Sequence, residues 1–349
     1  MGQTRVGILG ATGTVGQRFL TLLEHHPQFV VTALAASDRS QGKPYGEACV
    51  WRLPGAVPQA ARDLVVQAPE PPLDCDLVFS SLPTDIAGAV ETRFARAGYP
   101  VLTNSSPHRM DDAVPLVIPE VNPEHLTLLD RCRETGRGFI VANPNCSTVM
   151  VALAVAPLAA RFGVTAVVAT TLQAISGAGY PGVASLDITD NVIPFIAEEE
   201  EKIERETRKI LGALDAGRVA PAAFGVSAQC HRVNVVDGHL AAVRVTLARA
   251  AEPDELREAW ASFTGLPQAL RLPTAPEYPI LVRDEPDRPQ PRLDRDAGRG
   301  MSVTIGRIGR DHVLGHRFVA LSHNTIRGAA GAALLNAELL LAQGYLQGR

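Results

Sequence analysis

The chain has 349 residues, 46% of them hydrophobic and 20% charged, with a formal net charge of −4 and a pI near 6.2. That length holds two domains with sizeable cores. The charge balance gives no reason to expect nucleic acid as a partner, and no run of about 18 apolar residues marks a membrane span. Five cysteines, Cys49, Cys75, Cys132, Cys146 and Cys230, show no CxxC and no metal-type spacing. They are expected as reduced thiols in a cytoplasmic protein that holds no metal. A strand begins almost at once, so no signal peptide is expected. Val6 stands where N-myristoylation would need Ser or Thr.

The first organised unit is a strand over residues 6–9 that meets glycines at 10, 13 and 16 and continues into a helix over 17–25. Gly10 permits a tight turn, Gly13 lets a phosphate approach the backbone, and Gly16 lets helix pack on strand. This GxxGxxG variant, set between strand and helix, points to a dinucleotide; the bland alternative is a plain strand-to-helix turn. A second strand over 29–36 runs into Ser37, Asp38, Arg39, Ser40 and Lys43. An acid at this place favours the 2′-hydroxyl of NAD, and Arg with hydroxyls favours the 2′-phosphate of NADP. The basic and hydroxyl groups outnumber Asp38, so the loop leans to NADP.

Strands over 76–81 and 100–104 alternate with a helix over 86–97. Open α/β sheets bind ligands at the carboxyl ends of their strands, which puts Asn104, Ser105 and Arg109 near an anion. Residues 115–122 are extended and bracketed by prolines. The first domain is expected to end near residue 135.

Cys146 lies in Asn143-Pro144-Asn145-Cys146-Ser147-Thr148, between a strand over 138–142 and a helix over 147–160 that Pro157 should kink or end. Free N–H groups of Ser147 and Thr148 would face the thiol. The helix dipole would then lower its pKa below roughly 8.5, as suits a nucleophile. The competing reading makes Cys146 one more small buried hydrophobe.

A strand over 165–172 leads to a glycine-rich loop, 173–182, in which Gln173 and Ser176 are possible active-site donors. Pro194 should start a helix over 195–211, capped by Gly212, with Ile196, Ile203 and Ile210 as its apolar stripe. Glu198–Lys202 and Glu204–Arg208 are spaced for i, i+4 pairing, and Glu206 and Lys209 flank the stripe together. Asp237-Gly238 presents His239 at the start of a strand; His231 is its nearest competitor for pairing with Cys146. Residues 278–300 read as a surface excursion, 301–308 and 316–322 as strands, and the tail from Asn324 to about 343 as a helix returning to the first domain.

The sequence resembles aspartate-β-semialdehyde dehydrogenase, in its archaeal and fungal-type branch. The resemblance runs nearly end to end and is carried by GILGATGTVGQRF, NPNCST, LQAISGAGYPG, EEEEKIERETRKI, RVNVVDGH and NTIRGAAGAALLNAELL. It implies an α/β fold: an N-terminal Rossmann-like dinucleotide-binding domain (1–135 and 324–349) plus an α+β catalytic and dimerisation domain (136–323). It implies that Cys146 carries the acyl group and His239 is the general acid/base. Arg232 would bind the substrate α-carboxylate and Glu206 its amino group. Arg109 and Lys209, with Asn104 nearby, would bind phosphate, and Gln173 would orient the acyl intermediate. Gly10, Thr12, Gly13, Thr14, Val15, Ser37, Arg39, Ser40, Ser81, Ser176, Gly177 and Asn324 would bind NADP. The expected reaction is NADP- and phosphate-dependent interconversion of L-aspartate 4-semialdehyde and L-4-aspartyl phosphate. It would serve biosynthesis of lysine, threonine, methionine and isoleucine, in a homodimer or homotetramer. Departures are small: His231, Asn234 and His323 stand where the family has Asn, Pro and Asp. Malonyl-CoA reductase, N-acetylglutamyl-phosphate reductase and a non-catalytic NADP-binding sensor are the competing readings; Glu206 weighs against the first.

Overall fold

The computed structural model describes residues 2–135 and 137–346. Six strands, β1 (Thr4–Leu9), β2 (Phe29–Ala35), β3 (Val66–Gln67), β4 (Leu77–Ser80), β5 (Pro100–Thr103) and β6 (Phe139–Ala142), form one sheet in the order β3-β2-β1-β4-β5-β6. Every pairing in it is parallel. Short apolar runs such as Leu77–Ser80 are buried on both faces, as parallel strands require. Helices α1 (Thr14–Leu23) and α2 (Thr84–Arg96) are crossovers. The order reverses between β1 and β4, and that switch point is where such sheets bind ligands.

The sheet does not end at the expected boundary. β6 lies beyond residue 135 and pairs with β5, so the strand leading into Cys146 is the edge of the first sheet. Residue 136 and residues 347–349, where that boundary and the chain end fall, lie outside the described residues.

Helix α3 (Cys146–Phe162) carries the chain out of the first sheet. It runs through Pro157 and stops at Gly163, whose φ is +70°. Nearly every residue from Ser147 to Leu158 is buried, and that all-round packing outweighs the single lost N–H. The second sheet has the order β10-β7-β11-β14-β13-β12, with β7 (Val164–Gln173), β10 (Gly225–Arg232), β11 (His239–Leu247), β12 (Ile280–Val282), β13 (Val303–Asp311) and β14 (Gly315–Ser322). A small hairpin, β8 (Ala213–Asp215) and β9 (Arg218–Ala220), stands apart. The inner face packs Val167, Ala169, Val243 and Phe318 against Val149 and Leu153 of α3 and against Leu256 and Trp260. The outer face carries Val168, Leu172, Leu240, Ala242 and Val319, with Leu240 opposite Leu172 and Ala242 opposite Val319. These residues are half-buried or exposed.

Helix α4 (Glu199–Ile210) starts four residues later than Pro194 implied. Ile193 pairs with Arg232 in a β-bridge, which holds this stretch extended. Glu198 and Lys202 do pair, at 3.2 Å. Glu204 and Arg208 turn to backbone partners instead, the N–H of Ala228 and the carbonyl of Ala222. The 278–300 stretch is not only a surface excursion: it supplies β12, and buried Asp294 ties it together through Arg288 and the N–H of Gln290. Helix α5 (Pro253–Ala261) contributes Leu256 and Trp260 to the second core.

The tail, a π-turn (Ile326–Ala330) followed by α6 (Gly331–Ala342), packs with the first sheet. Leu334, Leu335, Leu339 and Leu340 share one core with Phe19, Leu20, Phe79 and Val141. Arg327 forms a two-bond pair with Glu120 at 2.7 Å, both side chains fully buried.

Candidate active site

The geometry is built around the first residue of α3. Cys146 Sγ lies 3.2 Å from His239 Nε2. Gly238, with φ +102°, turns the chain so that β11 opens on His239. His231 neighbours Arg232 on β10, and alternation sends its side chain to the opposite face. Ala174 orients two of the groups: its N–H donates to His239 Nδ1 at 3.0 Å, and its carbonyl accepts from Arg232 Nη1 at 2.8 Å. Gly177 closes over them, since a Cβ there would sit 2.8 Å from Arg232 Nη1 and 3.0 Å from His239 Nε2.

The N–H groups of Ser147 and Thr148 do not serve the thiol alone, though the Ser147 N–H still acts on it. Asn145 caps α3, and its Oδ1 accepts from both, at 2.9 and 3.2 Å. The thiol is also higher than the helix end alone implied. Burial pushes Cys146 up to about 12, and the Glu199 carboxylate pushes the same way. Arg109, Arg232 and the Ser147 N–H pull it down. His239 falls to about 3, because burial, then Arg232 and His323, disfavour the imidazolium.

A cleft of about 520 Å³ runs from the glycine turn to Cys146, while His239 and Arg232 are buried and do not line it. Of the residues singled out by sequence, Gly13, Thr14, Val15, Ser81, Asn104, Arg109, Cys146, Gln173, Ser176, Gly177 and Asn324 line it. Asn324 ties two loops together, donating to Ser176 Oγ at 2.8 Å and accepting from the Gly238 N–H at 2.9 Å. Arg109 donates to the Asn104 carbonyl at 2.6 Å and to Glu206 at 3.0 Å.

Glu206 and Lys209 do not line the cleft. Glu206 is buried with both oxygens used, by Arg109 and by the Asn145 N–H at 2.7 Å. Lys209 gives its three donors to the carbonyls of Arg109, Asp111 and Val114 at 2.7–3.0 Å. The acid and amine that reach the cleft are Glu199 and Lys202, two helical turns earlier on the same face of α4. Four consecutive glutamates, 198–201, offer the sequence no means of choosing which one faces inward. Glu199 accepts from Asn145 Nδ2 at 2.9 Å and from Gln173 Nε2 at 3.1 Å.

The glycine turn fits a dinucleotide. Gly10 has φ +80°, and a Cβ there would lie 2.7 Å from the Ser81 carbonyl oxygen. A Cβ at Gly16 would lie 2.4 Å from the Gly10 carbonyl oxygen. Gly13 caps α1 with no side-chain bond, so the first N–H groups of that helix stay open to the cleft. Gly10 and Thr12 shape the turn from below. The N–H groups of Gly10 and Ala11 bond the Ala35 carbonyl, which sets the loop after β2 beside them. In that loop Ser37 and Arg39 are exposed and Ser40 is buried. Among the described residues no cluster of His, Cys, Asp or Glu could hold a metal, and no helix is long and apolar enough to cross a membrane.

Comparison with known proteins agrees with this geometry. Residues 5–129 match the semialdehyde dehydrogenase NAD-binding domain, and residues 155–327 match the semialdehyde dehydrogenase dimerisation domain. The chain is 53% identical to an aspartate-semialdehyde dehydrogenase of Methanothermobacter thermautotrophicus, over 96% of this chain and 98% of that one. It is 47% identical to the aspartate-semialdehyde dehydrogenase of Schizosaccharomyces pombe, over 98% and 99%. The crystal structure of the Candida albicans aspartate-semialdehyde dehydrogenase with NADP superposes with a TM-score of 0.93 at 42% identity, over 99% of this chain and 100% of that one. A glycine turn at the switch point, a cysteine–histidine pair beside it and these full-length likenesses lead to one conclusion: the chain belongs to the aspartate-semialdehyde dehydrogenase family of enzymes.

Proposed function

We propose that this chain interconverts L-aspartate 4-semialdehyde and L-4-aspartyl phosphate through a thioester on Cys146, using NADP. The observation that carries the reading is the 3.2 Å approach of Cys146 to His239 beside a cleft shared by the glycine turn and Arg109. Bound at Gly13–Val15, NADP supplies or takes up the hydride of the reaction. Cys146 attacks the acyl phosphate as the thiolate that Arg109 and Arg232 favour against the effect of burial, and inorganic phosphate leaves. Arg109 and Lys202 are the cleft cations that meet the phosphate, while Lys209 and Glu206 brace the Arg109 loop from behind. Arg232 grips the α-carboxylate, Glu199 meets the α-ammonium, and Gln173 lies between them and the thioester carbonyl. A cleft carboxylate favours an amine-bearing substrate over a malonyl thioester. The reaction belongs to biosynthesis of lysine, threonine, methionine and isoleucine, and a cytoplasmic setting suits its reduced thiols. The apolar outer face of the second sheet, around Leu172 and Leu240, supports a homodimer, or a tetramer built from it.

The test is oxidation of aspartate semialdehyde by the purified protein, with and without phosphate, using NADP and NAD in turn. Phosphate-dependent formation of NADPH is expected, and Cys146→Ser should nearly abolish it, since a serine hydroxyl is far less ionised than a thiol. Turnover that ignores phosphate, or a Cys146→Ser variant close to the native rate, overturns the assignment.

A further inference from the structure

The glycine-rich loop that walls the cleft is tied across to the first domain by a cation–π contact. The guanidinium carbon of Arg52 stands 3.3 Å from the centroid of the Tyr180 ring. Arg52 lies between β2 and β3, and Tyr180 lies after β7 in the second domain. A guanidinium over an aromatic face is held by the negative charge of the π-cloud and by stacking. No carboxylate pairs with Arg52 among the described residues, so the ring is its partner.

The two sides of this contact are anchored differently. The Arg52 N–H donates to Gln17 Oε1 at 2.8 Å, and Gln17 Nε2 donates to the Thr12 carbonyl at 3.1 Å. Gln17 is fully buried on α1, so the backbone of Arg52 is fixed to the phosphate turn. The base of the glycine-rich loop is held as well. The N–H groups of Ile175 and Ser176 donate to the carbonyls of Val235 and Val236 at 2.7 and 3.1 Å, and Ser176 Oγ accepts from Asn324. Its tip is looser. Gly179 and Gly182, with φ of +69° and +83°, flank Tyr180, and a Cβ at Gly179 would meet nothing within 4 Å. Tyr180 itself is 63% exposed. The tip is a strap with glycine at either end, fastened by the face of one ring.

We propose that Arg52 and Tyr180 form a latch that keeps this strap, residues 177–182, closed along the cleft and so slows the release of NADP. The proposal rests on NADP binding at Gly13–Val15 and is independent of the acyl-transfer chemistry. Residues 177–180 line the same cleft as Gly13, Thr14 and Val15, so a cofactor held at that turn is released when the strap lifts. Lifting breaks the Arg52–Tyr180 contact. An exposed cation–π pair is worth about two- to fivefold in an equilibrium, which slows release without trapping the cofactor. Exchange of the cofactor at every turnover needs that moderation. Through Gln17 and Thr12, the fixed half of the latch is anchored to the turn whose ligand it retains.

The test is stopped-flow release of NADPH, read by nicotinamide fluorescence after the loaded full-length protein is mixed with excess NADP. Tyr180→Ala and Arg52→Ala should each speed release about two- to fivefold. Arg52→Ala keeps the backbone N–H that bonds Gln17, so the phosphate turn is left in place. The double variant should be no faster than the faster single one, because either change alone opens the latch. Tyr180→Phe keeps the ring face and should keep the slow release. Single variants less than twofold faster than native overturn the latch. So does a double variant at the product of the two single effects, or a Tyr180→Phe variant as fast as Tyr180→Ala. If the latch behaves as expected in a protein that does not turn over the semialdehyde, the reaction assignment falls and the latch stands. A protein that takes up no NADPH overturns both.

Discussion

Gly328→Ala is the sharpest test of how the site is packed. Gly328 lies in the π-turn before α6, and a Cβ there would stand 2.6 Å from the Cys146 Cβ and 3.0 Å from its Cα. Carbon atoms pack best at about 3.5–4.0 Å, so the new methyl is about 1 Å too close. Cys146 cannot swing aside, because the atoms met are its stem and backbone. Its neighbour Asn145 is fixed by Glu206, Glu199 and the helix cap. Alanine in place of glycine returns roughly 0.5–1 kcal/mol of helical preference. Overpacking costs roughly 1–3 kcal/mol, so the balance is a loss of about 1 kcal/mol and a lower Tm. The effect on turnover is larger. A displacement of about 1 Å at a nucleophile costs on the order of 10²-fold in rate, or about 2.7 kcal/mol of barrier. Calorimetry, kcat and the rate of Cys146 alkylation by iodoacetamide separate the two effects. A variant with kcat and alkylation both within about twofold of native would refute the packing argument.

Glu199→Gln should raise the KM for aspartate semialdehyde at least about tenfold by removing the charge that meets the ammonium. Removing that carboxylate should also lower the thiol pKa, so alkylation at pH 8 should quicken; an unchanged KM together with slower alkylation would contradict it. Arg39→Ala should weaken NADP binding by roughly 1.5–3 kcal/mol and leave NAD nearly unchanged in calorimetric titrations, whereas equal losses would remove Arg39 from the 2′-phosphate. Stability should fall with acid over a defined window. The folded pKa of His239 lies at about 3 and that of His323 at about 4, both below the ordinary 6.5. Below pH 6.5 the unfolded chain binds protons that the native one refuses, so native stability drops until the folded values are reached. His239→Gln should flatten part of that fall in urea titrations between pH 6.5 and 4, and an identical slope would count against it.

Local pattern carried much of this protein. Gly10, Gly13 and Gly16 between strand and helix announce a phosphate-binding turn, because spacing and backbone freedom are local properties. The apolar runs at Val6–Leu9 and Leu77–Ser80 announce buried parallel strands for the same reason. Cys146 at a strand-to-helix junction and His239 after Asp237-Gly238 were also legible, each from its own neighbours. What sequence alone did not decide were the choices that depend on partners distant in the chain. β6 joins the first sheet because β5 offers it an open edge, which no residue between 136 and 142 records. Pro157 stays helical because a core surrounds it. Glu199 and Lys202 reach the cleft, and Glu206 and Lys209 brace it from behind. The two pairs are identical in type and lie on one helical face, and only the packing of α4 beside Asn145 and Arg109 tells them apart. The orientation of the His239 ring is held by Ala174, 65 residues away in the chain, through one backbone N–H. Spacing along a chain fixes which side chains can share a face; tertiary contacts fix which of them are left free to do chemistry.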